Sequence, residues 1–592
     1  MKRAALRQSL SSRKSETEIA VPQGPERMPP RLAFASVLLA ALCLLGLFAT
    51  EIADTDFWWH LKTGQFLFEQ RALPVPDPFA FTTALNPPAY PGEDQVRRFN
   101  LTHEWLAQAA LYAVYTIGGL PAIILVRALL LGAFCGLAGL LAARRSGSFY
   151  LGIAAAFASA TLAIHFTADR PALFTFCMVA VFVAILEYRR FLWTLPLLAV
   201  LWANCHGGFV LGWVVVLAYC AGTVRSSSRS PIPPDRLRLW LAAAGVVVFS
   251  RLNPNGFGVL GTLLRYRQSA MTANLIEWSP PYLWGPPYAF DILLYSAAVL
   301  LAVSWRRVTT SDWALFAAFG AAALAAFRNI PLIGFLAPVL IASYFPVKLR
   351  VPRIAAWLLP ALLASVLAIG VARGSFFQLR ASMWKFPAGA ADYLLHNHIA
   401  GPLFNTWEEG GYLIWRLWPQ QRVFIDGRAL SESANRDYRR ILYNLGSDIG
   451  RVTGPRAELL HRYGIQAVLT NTFEYVSGAA YPLAMALADP SSTEWQLVYD
   501  DPHSLVFLRD PRPGTPVFPN KLQRVLDHMD TECSDYIEHD PELPRCARTL
   551  ADYWLRSGDR ARAYRMLTLY LLHAGSSDPE AAKALQQLMN TR

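Results

Sequence analysis

The stretch that decides the fold is Leu32–Thr50, LAFASVLLAALCLLGLFAT, which is followed at residues 51–60 by EIADTDFWWH. At 1.5 Å per residue this apolar run is long enough to cross a hydrocarbon core of about 30 Å. It is not a cleavable signal peptide, because it is too long and Glu51-Ile52-Ala53-Asp54 is no small-residue cleavage site. Residues 1–31 carry seven Lys or Arg against three Glu, which predicts a disordered, basic cytoplasmic tail.

Composition extends this interpretation to the whole chain. Of 592 residues, 54% are hydrophobic and only 16% charged, which is typical of a membrane protein and not of a soluble globule. The net charge of +12 does not indicate nucleic acid as a partner, because the Arg pairs at 144–145, 189–190 and 306–307 each end an apolar run and anchor topology there.

Eleven apolar runs predict about eleven transmembrane helices; they lie at 32–50, 121–143, 149–167, 171–188, 191–206, 208–224, 238–252, 286–305, 311–327, 329–346 and 353–372. With the N-terminus in the cytoplasm, every Arg- or Lys-rich turn then falls on the cytoplasmic side. An odd number of spans places residues 374–592 outside a bacterial-type inner membrane. The runs at 191–206 and 311–327 are short enough for broken helices, and losing one span would move the C-terminal region to the other side.

Polar residues that are out of place in a membrane gather in the outer turns. Ionisable groups at this depth are costly and are usually functional when they face the interior of the bundle, whereas snorkelling to the interface is the alternative. Because several turns of one side contribute, we expect them to converge on one cavity. The residues are Asp169, Arg170, Asn204, His206, Arg251, Asn253, Glu277 and Arg328.

The first outer loop, residues 51–120, begins with Asp54-Thr55-Asp56. Two carboxylates at this spacing are suited to hold a divalent cation, or one of them to act as a general base; an Asp that caps a helix beside interfacial tryptophans is the alternative. Phe57–Gln70, which contains His60, has amphipathic helical spacing. A second amphipathic segment begins at His103-Glu104, and both are predicted to lie on the membrane.

With these features the chain resembles the glycosyltransferase C superfamily, whose members join a first transmembrane helix to a long outer loop with an acidic motif near its start. The resemblance implies sugar transfer from a polyprenyl-phosphate or polyprenyl-diphosphate donor, with Asp56 or Asp54 as the catalytic carboxylate. Asp169 matches the place of a second acidic metal motif that is only half present here. The resemblance therefore leaves Mg²⁺ or Mn²⁺ open, with Asp54, Asp56 and Asp169 as ligands, or Arg170 in direct contact with the donor phosphate.

The remaining outer turns fit a cavity for phosphate and sugar. His206 lies in a Gly-rich break, Arg251 in a polar turn and Arg328 between two tightly joined apolar runs, and these three are candidates for phosphate contact. A plain glycine turn with a capping Asn is the alternative for the first of them.

Residues 374–515 change to alternating strands and helices and are predicted to form an α/β domain, with buried strands at 423–425 and 467–469 and a hairpin from residue 495 to 508. Phe404–Leu413 with Arg422–Arg428 partly resembles the oligosaccharyltransferase segment in which a Trp-Trp-Asp-Tyr-Gly motif precedes a strand ending in Asp. The match is too partial to carry peptide recognition over, and a structural turn explains much of the same pattern. By this resemblance the acceptor-side candidates are Trp407, Glu409, Tyr412, Asp426 and Arg428.

Residues 516–592 form a tail with the small-and-aromatic spacing of a tetratricopeptide helix pair, which is predicted either to cap the domain or to dock a protein partner. Cys533 and Cys546 in this tail are either a disulfide or two unrelated thiols.

The sequence thus predicts a polytopic α-helical membrane protein with a C-terminal α/β soluble domain and a short helical tail. Its predicted activity is glycosyl transfer from a polyprenyl-linked sugar to a glycan, lipid or protein acceptor, with membrane lipids around it. A transporter or flippase of a lipid-linked or anionic substrate, and a non-catalytic scaffold of the same fold, are the alternatives.

Overall fold

A computed structural model describes residues 28–224, 234–266, 269, 271, 275–346, 352–444, 451–574 and 578–590. The predicted basic tail, up to residue 27, lies outside the described residues. So do much of the basic turn at 225–237 and, in the turn before the last predicted span, residues 347–351.

The first two thirds of the chain are helical. The helices are α1 (Pro30–Phe48), α2 (Phe57–Gln70), α3 (Phe81–Leu85), α4 (Glu93–Thr102), α5 (Trp105–Ser146), α6 (Phe149–Ala163), α7 (Ala172–Tyr188), α8 (Leu195–Cys205), α9 (Val210–Val224), α10 (Pro234–Phe249), α11 (Gly258–Tyr266), α12 (Tyr288–Val303), α13 (Thr310–Ala325), α14 (Ile330–Tyr344) and α15 (Ala355–Ala372). Helix α5 is kinked at Gly118 and Gly119, just before Pro121. The kink separates the amphipathic segment of the outer loop from the apolar run that follows it.

Within the ranges that the structure describes, five helical segments are long and apolar enough to cross a membrane; they are Pro30–Phe48, Glu93–Ser146, Phe149–Phe166, Phe327–Tyr344 and Ala355–Ala372. Five further apolar helices have 10–17 residues, which at 1.5 Å per residue fall short of a core of about 30 Å. The helices are those of a membrane-embedded protein. The predicted number of eleven spans is not confirmed, because polar breaks such as His206 and Arg189 end several of the helices early.

The outer loop packs against the C-terminal region and not only along the bundle. Helix α2 has the predicted bounds, and its first two turns are buried, with the Trp58 ring 5.2 Å from Phe386 and 5.1 Å from Tyr412. Backbone bridges join Ile52 to Ala381 and Ala80 to Val423. The loop is therefore held on both sides of its acidic start.

The C-terminal region contains a four-stranded sheet in the order β1-β2-β6-β5, in which β1 and β2 are parallel and the other pairs antiparallel. Its elements are α16 (Ala388–His396), β1 (Leu403–Asn405), α17 (Gly410–Leu417), α18 (Glu432–Tyr443), α19 (Gly454–Arg462), β2 (Ala467–Thr470), β3 (Phe473–Glu474), β4 (Ala479–Ala480), α20 (Pro482–Ala488), β5 (Trp495–Asp500) and β6 (Leu505–Arg509). The predicted hairpin and the strand at 467–469 are confirmed.

The strand predicted at 423–425 is wrong. The Val423 N–H donates to Phe79 O and its carbonyl accepts from Phe81 N, so this segment pairs with the outer loop and lies outside the sheet. An apolar run of three residues indicates burial but does not identify the backbone that it pairs with.

The tail forms α21 (Lys521–His539), α22 (Arg545–Ser557), α23 (Arg560–Ala574) and α24 (Pro579–Asn590), packed around an apolar core that also includes Phe473 of β3. Cys533 and Cys546 are bonded to each other in this core.

Candidate functional site

The acidic segment Asp54-Thr55-Asp56 fills the short turn between α1 and α2. Asp56 directly precedes Phe57, the first residue of α2, and its backbone N–H donates to Asp54 Oδ1 at 3.3 Å. This places both carboxylates at the N-terminal end of a helix, where the dipole stabilises negative charge.

Arg170 joins the two carboxylates. It comes from the turn that precedes α7, and its Nε and Nη2 each lie 2.6 Å from an oxygen of Asp54. Its Nη1 lies 3.1 Å from Asp56 Oδ2. The Arg170 side chain is still 33% exposed, so a fork-shaped cation that suits phosphate oxygens stays accessible to a ligand.

Two predicted outer-turn residues extend this group. Glu277 Oε2 lies 3.7 Å from Arg170 Nη1, and its other oxygen lies 3.3 Å from Arg328 Nη1. The Arg328 guanidinium also stands over the Trp278 ring at 4.6 Å. The structure therefore brings Asp54, Asp56, Arg170, Glu277 and Arg328 together, and we call these five residues the acidic-arginine cluster.

The two aspartates differ in their proton affinity. Burial and the Asp54 charge raise the pKa of Asp56 to about 6, although the Arg170 charge opposes the rise. Burial also acts to raise the pKa of Asp54, but the charge and hydrogen bonds of Arg170 outweigh it and hold that pKa below its usual value. Asp54 thus stays ionised as the partner of Arg170, whereas Asp56 has the pKa expected of a general base that works near neutral pH.

Three glycines of the C-terminal region contact this part of the chain. A Cβ on Gly427 would come within 2.9 Å of Asp56 Cγ, and one on Gly411 within 3.3 Å of the Thr55 carbonyl carbon. Gly410 packs on the Ile425 carbonyl in the same way. Because a side chain at these positions would collide with the acidic segment or its support, the glycines allow the close approach of backbone that fixes Asp56.

An apolar cavity of about 270 Å³ has Arg170 of this cluster in its wall. Most of the wall consists of aliphatic and aromatic side chains of α5 and α7, and its charged lining residues are Arg127, Asp169 and Arg170. The cavity therefore places a water-poor groove next to a cation, which is the arrangement that an amphiphile with an anionic head group requires.

Arg127 was not anticipated from the sequence. This side chain is 2% exposed, and its Nη1 lies 2.5 Å from Asp169 Oδ2 while its Nε donates to the Phe48 carbonyl. A single cation within the apolar run at 121–143 was the available signal, because an unpaired charge there is costly.

The same pairings bear on the expected metal. Both oxygens of Asp54 face Arg170, and Asp169 is taken up by Arg127. Within the part of the chain that the structure describes, no group of three or more His, Cys, Asp or Glu side chains could hold a metal ion. Arginines stand where a divalent cation would, so the residues fit a metal poorly and no chemical step is assigned to one. Mg²⁺ or Mn²⁺ stays a prediction.

A second polar group surrounds Glu104. Its carboxylate lies 3.3 Å from His103 Nε2, 3.7 Å from His206 Nε2 and 3.7 Å from His60 Nδ1. The Gly208 N–H donates to His206 Nδ1 at 3.0 Å, which leaves the Nε2 proton of His206 directed at Glu104. His206 therefore belongs to this imidazole group and does not contact the acidic-arginine cluster directly.

Other predicted site residues have structural partners. Asn204 Oδ1 accepts from Trp105 Nε1 at 2.8 Å and its amide donates to Leu252 O. Asn253 closes its own turn by donating to Gly256 O. The Arg251 side chain is exposed, and no described ion pair joins it to either polar group.

Most of the acceptor-side candidates also have structural partners. Arg428 lies between Asp426 at 2.6 Å and Asp77 at 2.7 Å, a fully buried triad that locks the outer loop to the C-terminal region. Tyr412 packs against Trp58 and Phe386. Glu409 Oε1 lies 2.7 Å from His503 Nε2.

Trp407 differs from these residues because it lines an open cavity together with Glu408.

No protein-family model matches the chain, and no curated protein matches its sequence.

Proposed function

We propose that the protein is a membrane glycosyltransferase that moves a sugar from a polyprenyl-phosphate or polyprenyl-diphosphate donor to an extracytoplasmic glycan, lipid or protein acceptor. One observation carries the proposal: Arg170 lines the apolar cavity and also contacts both Asp54 and Asp56. A lipid tail, an anionic phosphate and a proton-accepting carboxylate would thereby meet at one place.

The proposed reaction uses these groups in sequence. The acceptor hydroxyl gives its proton to Asp56 as its oxygen bonds to the sugar C1, and the bond from C1 to the donor phosphate oxygen breaks. The electron pair leaves with the polyprenyl phosphate, whose growing negative charge is stabilised by Arg170 and Arg328. Asp54 orients Arg170 and does not itself react.

The proposal includes the predicted topology of about eleven spans, with the N-terminus in the cytoplasm and the C-terminal region outside the inner membrane. The bond between Cys533 and Cys546 supports this orientation, because disulfides persist in oxidising compartments and are rare in the cytoplasm.

The test is sugar transfer by purified protein from radiolabelled polyprenyl-phosphate and polyprenyl-diphosphate sugars, with extracted envelope material as acceptor. We expect wild type to transfer and Asp56→Asn to lose at least about 100-fold, the size of one general-base contribution. The Asn variant should fold, because burial already favours the uncharged side chain. Asp392→Asn, which makes the same change at an exposed acid of the C-terminal region, is the matched control and should transfer normally.

Chelation in the same assay tests the metal. A rate of transfer that EDTA leaves unchanged agrees with arginine as the phosphate ligand. A rate that falls in EDTA and recovers when Mg²⁺ or Mn²⁺ is added would show that the enzyme requires a metal, as the sequence led us to expect. Transfer that is equal in wild type and Asp56→Asn would refute the role of Asp56. A folded protein that transfers from no donor would refute the enzyme and leave the transporter and the scaffold.

A further inference from the structure

The C-terminal region has a cavity of its own, apart from the acidic-arginine cluster. Its volume is about 290 Å³, near the lower limit of the ~300–1,000 Å³ typical of small-molecule sites, which suits one sugar-sized unit. Much of its wall is aromatic and consists of Trp407, Tyr438, Tyr443 and Tyr481. The Tyr443 and Tyr481 rings meet edge to face at 5.8 Å, and the Tyr438 hydroxyl accepts from Trp407 N at 3.1 Å, so the wall is preformed.

Two carboxylates, Glu408 and Glu474, also line this cavity. Glu474 is anchored from behind by the backbone N–H groups of Val476 and Ser477. The Glu408 carboxyl is held by its own backbone N–H and by the Tyr481 hydroxyl, at 3.5 Å from Oε1, and its buried Oε2 has no hydrogen-bond partner among the described residues. A buried carboxylate oxygen without a donor is costly and favours a ligand that supplies one.

The charges around Glu408 indicate the sign of that ligand. Burial, together with the charges of the nearby Glu409 and Glu474, raises the pKa of Glu408 to about 7. Arg439 also borders the cavity, but its side chain is exposed and, in the described part of the chain, it forms no ion pair with either carboxylate. Since Glu409 is already bound to His503, the cavity keeps an excess of negative charge.

Aromatic faces next to carboxylates are the surroundings that proteins use to bind ammonium groups, because the ring face and the acid both attract a cation. The aromatic walls also favour an organic cation over a metal ion, which needs several converging oxygen ligands.

We propose that this cavity binds an amino sugar, with its ammonium group on Glu408 and its ring against the aromatic wall. The inference rests on the proposed function, for which it names the chemistry of the acceptor. The connectivity of the chain supports an acceptor role for this cavity. Trp407 and Glu408 come just before Gly410 and Gly411, and Gly411 contacts the acidic segment. Leu275 of the cavity wall comes two residues before Glu277 of the acidic-arginine cluster.

The test measures binding and not transfer, so that it is independent of donor and turnover. Titration calorimetry and saturation-transfer NMR of the full chain in detergent compare glucosamine with N-acetylglucosamine, which has the same ring without the charge. We expect glucosamine to bind at least about tenfold more tightly, and Glu408→Gln to remove that preference. Glu458→Gln changes an exposed acid on α19 and should keep it.

The wild-type comparison alone decides the proposal if Glu408→Gln does not fold. No saturable binding of glucosamine, equal binding of the two sugars, or a preference that persists in Glu408→Gln would each overturn it. If the protein transfers sugar but lacks this preference, the amino-sugar site is refuted and the proposed enzyme activity stands. If it shows the preference but transfers no sugar, the amino-sugar site stands and the proposed enzyme activity is refuted.

Discussion

Replacing Arg428 by Met is expected to destabilise the docking of the outer loop on the C-terminal region by about 3 kcal/mol, the lower end of the ~3–5 kcal/mol range for breaking a buried ion pair. Arg428, Asp77 and Asp426 are 2%, 1% and 3% exposed, so water cannot replace the lost partner. Asp77 keeps hydrogen bonds from Phe79 N and the Thr83 hydroxyl. Asp426 keeps the hydrogen bond from the backbone N–H of residue 428 but loses the guanidinium that pairs with both of its oxygens, so the larger share of the cost falls on it.

The assay is urea unfolding in a fixed detergent, followed by the fluorescence of the tryptophans buried where α2 meets the C-terminal region. The matched control is Arg416→Met, which breaks the ion pair with Asp392 on the same region. Because that pair is 39% and 46% exposed, its loss should cost about 1 kcal/mol or less.

Neutralising the stranded acid should recover part of the loss in the double variant Arg428→Met with Asp426→Asn, because an amide needs no cation. Free energies of unfolding that agree within about 0.5 kcal/mol for Arg428→Met and Arg416→Met would refute the buried triad as the lock. Arg428→Met should also slow transfer, since it loosens Gly427 next to Asp56.

Three further outcomes follow from the geometry. Gly427→Ala should lower the rate of sugar transfer about 100-fold, because it displaces the Asp56 carboxylate on the order of 1 Å. The control Gly136→Ala should leave the rate unchanged, because a Cβ there meets nothing within 4 Å. Equal rates of transfer for the two variants would contradict this expectation. The rate of transfer should rise with pH through about 6, the pKa of Asp56, and a pH profile without this limb would exclude Asp56 as the base. His528, held by Asp500 and Glu532, has its pKa raised to about 9 although burial opposes the rise. Its stabilising effect is therefore complete below about pH 6.5 and lost as the pH rises through 9, so thermal unfolding midpoints of wild type should fall across this range and those of His528→Gln should not.

The sequence predicted what depends on local pattern. The amphipathic spacing of Phe57–Gln70 predicted α2 at its bounds, and alternation between residues 495 and 508 predicted the hairpin. The idea that polar outer turns converge also agrees with the structure for Asp56, Arg170, Glu277 and Arg328, because carboxylates and guanidinium groups at this depth must find one another.

Partners chosen by the tertiary fold could not be predicted. Arg428 and Asp426 were expected to face an acceptor, but Asp77, which lies 351 residues away in the chain, takes up Arg428. The local sequence pattern around Arg428 does not indicate that Asp77 is its partner, and the pattern around Asp77 does not indicate Arg428. The same is true of Val423, whose backbone pairs with the outer loop, and of the helix ends that leave several apolar runs short of a full span.

The position of the triad explains why so much buried charge is tolerated so close to the proposed site. Asp56 projects from the outer loop, but its carboxylate rests on Gly427 of the C-terminal region, so its position depends on how the two pieces are docked. Gly427 lies between Asp426 and Arg428 in sequence, and Arg428 is paired both with Asp426 and with Asp77 of the outer loop. Apolar packing alone would permit sliding, because it has little directional preference, whereas a bidentate ion pair fixes register. The ionic lock therefore sets the position of the carboxylate that is proposed to accept the proton.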